Sequence, residues 1–461
     1  MMNWKQLMKP TKFRPGKDEE RTALSEFKQD YSKIIFSSSF RRLKNKTQIH
    51  PLDTNDFIRT RLIHSLEVST IASEIGGVVE SELIKQGEFP VEMRECMGSV
   101  LEAASLLHDV GNPPFGHYGE IIIQDFFTEY FENKFDENID FYGEKWTEAE
   151  LNDFKKFEGN AQTLRVISRL QYIRDEYGLN LTFPTMASIM KYPRSSSQGN
   201  SPGRGISYKK FGYFQSEKKP FEKIVSELGI KMGGDVKRHP LVFLLEASDD
   251  IAYLVADIED AVKKGILTPE RVKKVIEKYL DSENEREREI LESLGEIEID
   301  HLYPDPREIP MQIFRVKIHK FMISETAKSF LNNYKDIMSG SYEGELLDSS
   351  EAVHLKNAFR EILSIIISDK DVIKLEIGGD RVLRVLLREF TNAVVSPKKD
   401  RVGSKEEKLY RLMSSNYRFL KDRYPYKNRL YNELRLVTDF ICGMTDSYAL
   451  ELYQSIMAIK F

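Results

Sequence analysis

Apolar residues recur at spacings of three and four along most of the chain, and runs that alternate apolar with polar residues are few. That period marks helices with one buried face, so the pattern predicts an all-α fold. Leu62, Leu66, Ile71 and Ile75 predict a helix over 58–79. A second, over 93–108, stops at Gly111-Asn112-Pro113-Pro114, a run that cannot continue a helix. A third, over 241–262, carries Leu244, Ile251, Leu254, Ile258 and Val262, and helix also resumes near Asn160. The acidic and aromatic stretch Tyr130–Asp153 reads as a surface excursion, and RSSSQGNSPGRG at 194–205 as a mobile loop. Asp281–Glu292 reads as a solvated helix face. VIKLEIGGDRVLRV alternates around a Gly-Gly pair and predicts a short hairpin in the otherwise helical C-terminal part. There is no internal repeat. The pattern divides the chain into an N-terminal segment (1–57), a core (58–265) with insertions near 130–153 and 194–208, and a helical C-terminal region (266–461).

The bulk numbers narrow the class. A chain of 461 residues can bury a large core with two or three subregions. A net charge of −5 gives no global attraction to nucleic acid, so an anion site has to come from a local cluster of Lys and Arg. Two distant cysteines, Cys96 and Cys442, exclude a disulfide framework and a thiolate cluster and suit a reducing cytoplasm. The opening MMNWKQLMKPTKFRPGKDEE has no apolar h-region, and no apolar run is long enough for a bilayer. The expectation is a soluble cytoplasmic protein with no membrane partner.

The chemistry concentrates in three helices. The eight histidines stand at 50, 64, 108, 117, 239, 301, 319 and 354. His108 and Asp109 sit where the second helix stops, and the free carbonyls and negative dipole of a helix end favour a cation there. Imidazole mixed with carboxylate suits Mg or a first-row transition metal with a place left for water. The dipeptide alone reads better as a capped helix end with a satisfied histidine. Two other patterns shift the balance. Arg61 and His64, three apart, share a helix face, a sensible arrangement for a phosphate oxygen beside a metal. Asp249, Tyr253 and Asp257 recur every four residues, about 6 Å apart along one stripe. Solubility does not explain a carboxylate–phenol–carboxylate stripe flanked by core positions. The chain has no G-x-x-x-x-G-K-[ST] sequence to cradle outer phosphates.

A histidine, a His-Asp pair and a distant Asp, all on helices, resemble the HD-domain phosphohydrolases. FSSSFRRLKNKTQ, RTRLIHSLEVS, LLHDVGNPPFGHYGE, FEGNAQTLR, IMKYPR, EASDDIAYLVADIEDA and GMTDSYALELY look like the bacterial deoxyguanosine triphosphate triphosphohydrolases (dGTPases), from about Phe36 to Tyr453. The resemblance implies that His64, His108, Asp109 and Asp249 hold a divalent metal (Mg, Mn or another first-row transition metal), with Asp250 the rival for the fourth place. It implies that His117 is catalytic, with Glu120 one turn on to orient or polarise it. Gln48, Tyr253 and Asp257 would meet the deoxyribose. Asn160, Lys191, Tyr192, Arg61 and one of Lys209 or Lys210 would meet the triphosphate. Guanine is read in that family by charged C-terminal residues. Here Arg381, Arg384, Arg388, Glu389 and Arg418 are on offer, without a clear alignment.

The reading is hydrolysis of dGTP, and of other dNTPs to an extent left open, to deoxynucleoside and tripolyphosphate. Water, activated by the metal, attacks the α-phosphorus, with His117 as general acid or base. The resemblance also implies a homo-oligomer, a hexamer. Two other classes compete: another HD-domain nucleotidase or phosphodiesterase, and a nucleotide-sensing protein that binds single-stranded DNA through the basic segment Lys5–Lys17.

Overall fold

The helices Arg61–Lys85, Cys96–Ser105 and Pro240–Lys263 pack on one another. The computed structural model describes residues 1–15, 22–48, 52, 58–135, 139–140, 142–171, 174–201, 203–295 and 308–459. His50, His301 and Lys17 lie outside the described residues. The helices that build the site are α1 (Ala23–Ile35), α2 (Arg61–Lys85), α3 (Cys96–Ser105), α4 (Gly116–Lys134), α5 (Glu148–Lys155), α6 (Gly159–Arg165), α7 (Pro240–Lys263), α8 (Glu308–Asn332), α9 (Val353–Ile367), α10 (Lys370–Val395), α11 (Arg429–Cys442) and α12 (Asp446–Ile456).

Helix α2 buries Val68, Ile71, Ala72, Ile75, Val79 and Leu83, a stripe at three- and four-residue spacing. It lies along α3 and under α7. Helix α7 is buried nearly all round, from Leu241 to Val262, which is why its sequence is apolar except along one stripe. Pro240 at its first turn and the His239 cap fix where it starts. Helix α1 covers α3, and α8 and α9 cover α7. In the C-terminal half α10 packs on α4, α11 and α12. No helix among the described residues is long and apolar enough to cross a membrane.

The all-α expectation holds, and the helices predicted over 58–79 and 241–262 form as α2 and α7. Among the described residues the only strands are β1 (Lys231–Met232) and β2 (Asp235–Val236), antiparallel, with Lys231 opposite Val236. Gly233 and Gly234 between them have φ of 58° and 83°, the two positive values that a tight hairpin turn needs.

Four expectations need correction. The hairpin predicted around VIKLEIGGDRVLRV does not form, because α10 runs straight through it. Val372, Gly379, Val382, Leu383, Leu386 and Phe390 are all buried at helical spacing, and that outweighs the local alternation. Gly379 serves close packing, since a Cβ there would come within 2.8 Å of the Phe115 ring. The stretch Tyr130–Asp153 is no surface excursion. Phe131, Trp146 and Phe154 pack ring on ring in the core, and Thr147 and Glu150 form a capping box that starts α5. The loop 194–205 is pinned at its first residues. Buried Arg194 donates to the carbonyls of Pro193 and Val236 and to Ser207, and Ser196 donates to the Ala149 carbonyl. Finally, the helix predicted over 93–108 is shorter at both ends (Cys96–Ser105).

The aromatic correction is testable. Trp146 is 2% exposed, and Trp146→Ala lowers unfolding stability by about 3–5 kcal/mol in urea melts. A loss below about 0.5 kcal/mol, the range of surface substitutions, contradicts its place in the core.

Candidate metal centre and active site

The early end of α3 builds the first half of the site. After Ser105 the chain closes in three-residue turns, with N–H groups of Leu107, Val110 and Asn112 donating to the carbonyls of Ala104, Leu107 and Asp109. This turn lies flush against α6. A Cβ on Gly111 would fall 2.3 Å from the Gly159 carbonyl oxygen and 2.2 Å from the Thr163 nitrogen. His108 Nδ1 is 2.6 Å from the Ser105 carbonyl oxygen and donates to it. That fixes the tautomer and leaves Nε2 with its lone pair. Nε2 is buried and has no hydrogen-bond partner.

The lone pair faces Asp249. His108 Nε2 is 3.5 Å and His64 Nε2 3.1 Å from Asp249 Oδ1, and the three ligand atoms all lie within 4.8 Å of one another. Asp109 stands beside them, its Oδ2 3.6 Å from His108 Nε2. It accepts from Arg61 Nη1 at 2.5 Å and from Asn112 Nδ2 at 2.6 Å. Asp250 instead faces Lys356 at 3.3 Å. Buried polar atoms normally find partners. An orphaned imidazole nitrogen beside a second imidazole and a carboxylate, with Asp109 next to them, offers donors that could hold a divalent metal.

Burial alone would raise the Asp109 carboxyl, but Arg61 and the two imidazoles hold it well below the usual carboxylate range. Asp249 is likewise held low against its burial by Lys191, 2.9 Å from its Oδ2, and by the same imidazoles. Both therefore stay ionised, as ligands must.

The second half is built by α4. Phe115 and Gly116 both have positive φ (62° and 59°), a strained entry for a phenylalanine. The Phe115 N–H donates to Asp446 Oδ1 at 3.0 Å, which pins the turn. His117 follows, its side chain 77% exposed at the cavity mouth. Its Nδ1 meets Glu120 Oε2 at 3.2 Å, and Glu120 Oε1 accepts from the Gly159 N–H at 2.8 Å. Lys210 Nζ is 2.5 Å from Glu158 Oε1 and 3.6 Å from Glu120 Oε2, and Asn160 Nδ2 donates to Glu158 Oε2 at 2.8 Å. The Glu120 hydrogen bond and charge raise His117 above its ordinary value. Burial would raise Glu120, but His117 and Lys210 bring it below the usual range. Burial and the Glu120 charge push Glu158 up to about 7.

A cavity of about 330 Å³ opens over both halves. Of the predicted residues, Gln48, Arg61, His64, Asp109, His117, Asp249 and Tyr253 line it. His108 sits behind the lining in the imidazole pair. Lys191 reaches the site through Asp249, and Lys210 and Asn160 through Glu158. Lys209 is exposed, so of the two lysines Lys210 is the one at this cluster. Tyr192 is buried beside Lys191. Asp257 lies one turn beyond Tyr253, buried, its Oδ2 without a partner, and burial pushes it up to about 8. None of the five candidate base readers lines the cavity. Arg381 and Arg388 are exposed, Arg384 pairs with Asp380, Asp125 and Glu129, Glu389 with Lys405, and Arg418 lies over Tyr410. The C-terminal half reaches the cavity instead with Ile367, Val372 and Glu376. Sequence reasoning also missed Phe115, Tyr118, Glu158 and Asp446. Glu158 and Asp446 stand inside the quoted blocks FEGN and GMTDSY, but nothing in their spacing marks what they touch.

The HD domain family matches residues 61–172, and the phosphohydrolase-associated domain matches residues 381–455. A deoxyguanosinetriphosphate triphosphohydrolase-like protein of Listeria monocytogenes is 37% identical over the whole of both chains. One of Synechocystis is 34% identical, again over both whole chains. The chain belongs to the HD-domain dGTPase-like family. A deoxyguanosinetriphosphate triphosphohydrolase of Enterobacter is 30% identical over 96% of each chain. Membership in this dGTPase-like family makes the protein a phosphohydrolase, and the donor set around Asp249 fits the metal dependence of HD domains.

Two substitutions separate chemistry from metal binding. His117→Ala keeps its metal content while kcat falls by roughly 100-fold or more. Loss of metal in that variant contradicts the division of the site into two halves. Glu120 raises His117, so the imidazolium persists above its ordinary value and is lost as pH rises through the raised one. Glu120→Gln moves the alkaline fall of kcat/KM to lower pH. An unmoved alkaline limb means that His117 is not the group that titrates.

Proposed function

We propose that this phosphohydrolase cleaves dGTP, and other dNTPs to the extent its base pocket allows, to deoxynucleoside and intact tripolyphosphate. The observation that carries the reading is that Asp249 and Tyr253 line one cavity from the same face of α7, about 6 Å apart along the helix. With the deoxyribose on Tyr253, the phosphate beside Asp249 is the α-phosphate. The names of the relatives support dGTP as substrate.

His64, His108, Asp109 and Asp249 would hold Mg, Mn or another first-row metal. Bound there, the ion supplies a Lewis acid for a phosphate oxygen and lowers the pKa of water. The chain's own groups do the rest. Tyr253 packs under the sugar, Asp257 offers its free oxygen to the 3′-hydroxyl, and Gln48 closes the other side. Arg61 and Lys191 present positive charge at the α-phosphate, and Asn160, Tyr192 and Lys210 hold the outer phosphates. The oxygen of water bonds to the α-phosphorus as the bond from that phosphorus to the 5′-oxygen breaks. His117, kept protonated by Glu120, gives its proton to the departing 5′-oxygen, and the proton shed by the water returns through solvent.

We assign the protein to the cytoplasm, as a homo-oligomer and a hexamer by family resemblance, and keep the division at 57/58 and 265/266. Single-stranded DNA as a further partner finds little support in the N-terminal segment. Lys5, Lys9, Lys12 and Arg14 pair with Glu92, Glu227, Glu26 and Asp175.

Hydrolysis in ¹⁸O-labelled water places the label in tripolyphosphate and none in the nucleoside. Orthophosphate or pyrophosphate as first product rules the reaction out. The sugar contacts make a separate prediction: Tyr253→Ala narrows the preference for dGTP over GTP by about tenfold. Equal rates on GTP and dGTP in the unaltered protein contradict the sugar pocket.

A further inference from the structure

A second cavity, about 350 Å³, lies between the C-terminal end of α6, the helix Lys218–Glu227, the helix Ser415–Arg423 and α11. It shares no lining residue with the metal site, and its volume falls in the range of roughly 300–1,000 Å³ typical of small-molecule sites. Of its eighteen lining residues seven are Lys or Arg, and one, Asp439, is acidic.

The charges are only partly matched. Arg165 is neutralised by Asp439 and Glu217, each at 2.7 Å, and Glu217 also meets Arg169 at 3.5 Å. Lys421 shares Glu433 with Lys399. The other carboxylates in reach, Glu222 and Asp422, are themselves exposed at the rim. Lys219 and Lys427 have no acid within ion-pair distance among the described residues. In a protein of net charge −5 this is a local excess of the kind an anion site requires.

The floor carries a second observation. Arg435 is 1% exposed, its guanidinium lies 3.5 Å over the Phe214 ring, and Nη2 donates to Gln162 Oε1. Its Nε and Nη1 are buried and have no hydrogen-bond partner, whereas Arg169 Nε lies 3.5 Å from Glu217 Oε1. Buried guanidinium groups are normally saturated with acceptors. A buried guanidinium with two free donors on a basic cavity is what an oxyanion would satisfy. Cations running from Arg435 and Arg169 at the floor to Lys219 and Lys427 at the rim suit several linked anionic groups.

We propose that this cavity binds a chain of phosphates, either free tripolyphosphate or the tail of a nucleoside triphosphate whose base meets Tyr424 at the rim. The site needs no metal, because its lining offers no carboxylate cluster, and it stands whether or not the metal centre performs the reaction proposed above. The test is calorimetric titration of the full-length protein with tripolyphosphate in the presence of EDTA. The expected result is one metal-independent event per chain. Lys219→Glu combined with Lys427→Glu, both exposed positions, weakens it by about tenfold or more, while Lys210→Gln at the catalytic cluster leaves it unchanged. An unchanged affinity in the double variant, or loss in Lys210→Gln instead, overturns the proposal. A non-hydrolysable dNTP that binds more tightly than tripolyphosphate, and loses that margin in Tyr424→Ala, identifies a nucleotide. Equal binding of the two identifies the free polyphosphate. A single-stranded oligodeoxynucleotide that binds here more tightly than either contradicts a site for a compact anion.

Discussion

Asp249 lies within 3.5 Å of His64, His108 and Lys191, and the local structure keeps that carboxylate ionised and in place. A buried charge persists only when it is paired. Pairing it draws in α2 through His64, the turn after α3 through His108, and the segment after α6 through Lys191. Asp109 is held the same way by Arg61 and Asn112. Two carboxylates are thus matched by two permanent cations, Arg61 and Lys191, with the imidazoles of His64 and His108 beside them. A dication added there brings charge that the phosphates of a substrate offset in turn.

The C-terminal half fixes the walls around this centre. Asp446, at the first turn of α12, accepts from Thr47 N and Oγ1 with one oxygen and from Phe115 N with the other. One carboxylate therefore holds the residue before Gln48 and the turn before His117 together. Lys46 does similar work from the N-terminal side, donating to the carbonyls of Asn112 at 2.5 Å and Cys442 at 2.7 Å. The close approach of Phe115 to Gly379 adds α10 to the same wall. The wall residues beside Gln48 and His117 are tied to the turn after α3 by buried hydrogen bonds, so their relative positions do not depend on exposed loops.

Much of this was legible in the sequence, and the failures have physical causes. Periodicity located α2 and α7, because it depends on spacing along one helix, and the proposed ligand set was named by resemblance, from residues on three separate segments. Gly-Gly-Asp occurs twice, at 233–235 and at 378–380. The first makes a hairpin turn and the second lies inside a helix, since only the second is flanked by apolar residues at helical spacing with a ring to pack on. Trp146 and its aromatic neighbours were misjudged because acidic residues between them suggested solvent. Glu158 and Asp446 were invisible as functional residues because what they touch comes from distant parts of the chain. The C-terminal wall of the cavity was illegible for the same reason: α10 brings Val372 and Glu376 to it and turns Arg381 and Arg388 away.

The central claim is that the orphaned nitrogen of His108 marks a metal position shared with His64, Asp109 and Asp249. Anomalous diffraction from crystals soaked in Mn²⁺ tests it directly. The account predicts one strong peak per chain, within about 2.0–2.3 Å of His64 Nε2, His108 Nε2 and a carboxylate oxygen each of Asp109 and Asp249. A metal that binds elsewhere, or a peak that His108 does not touch, contradicts it.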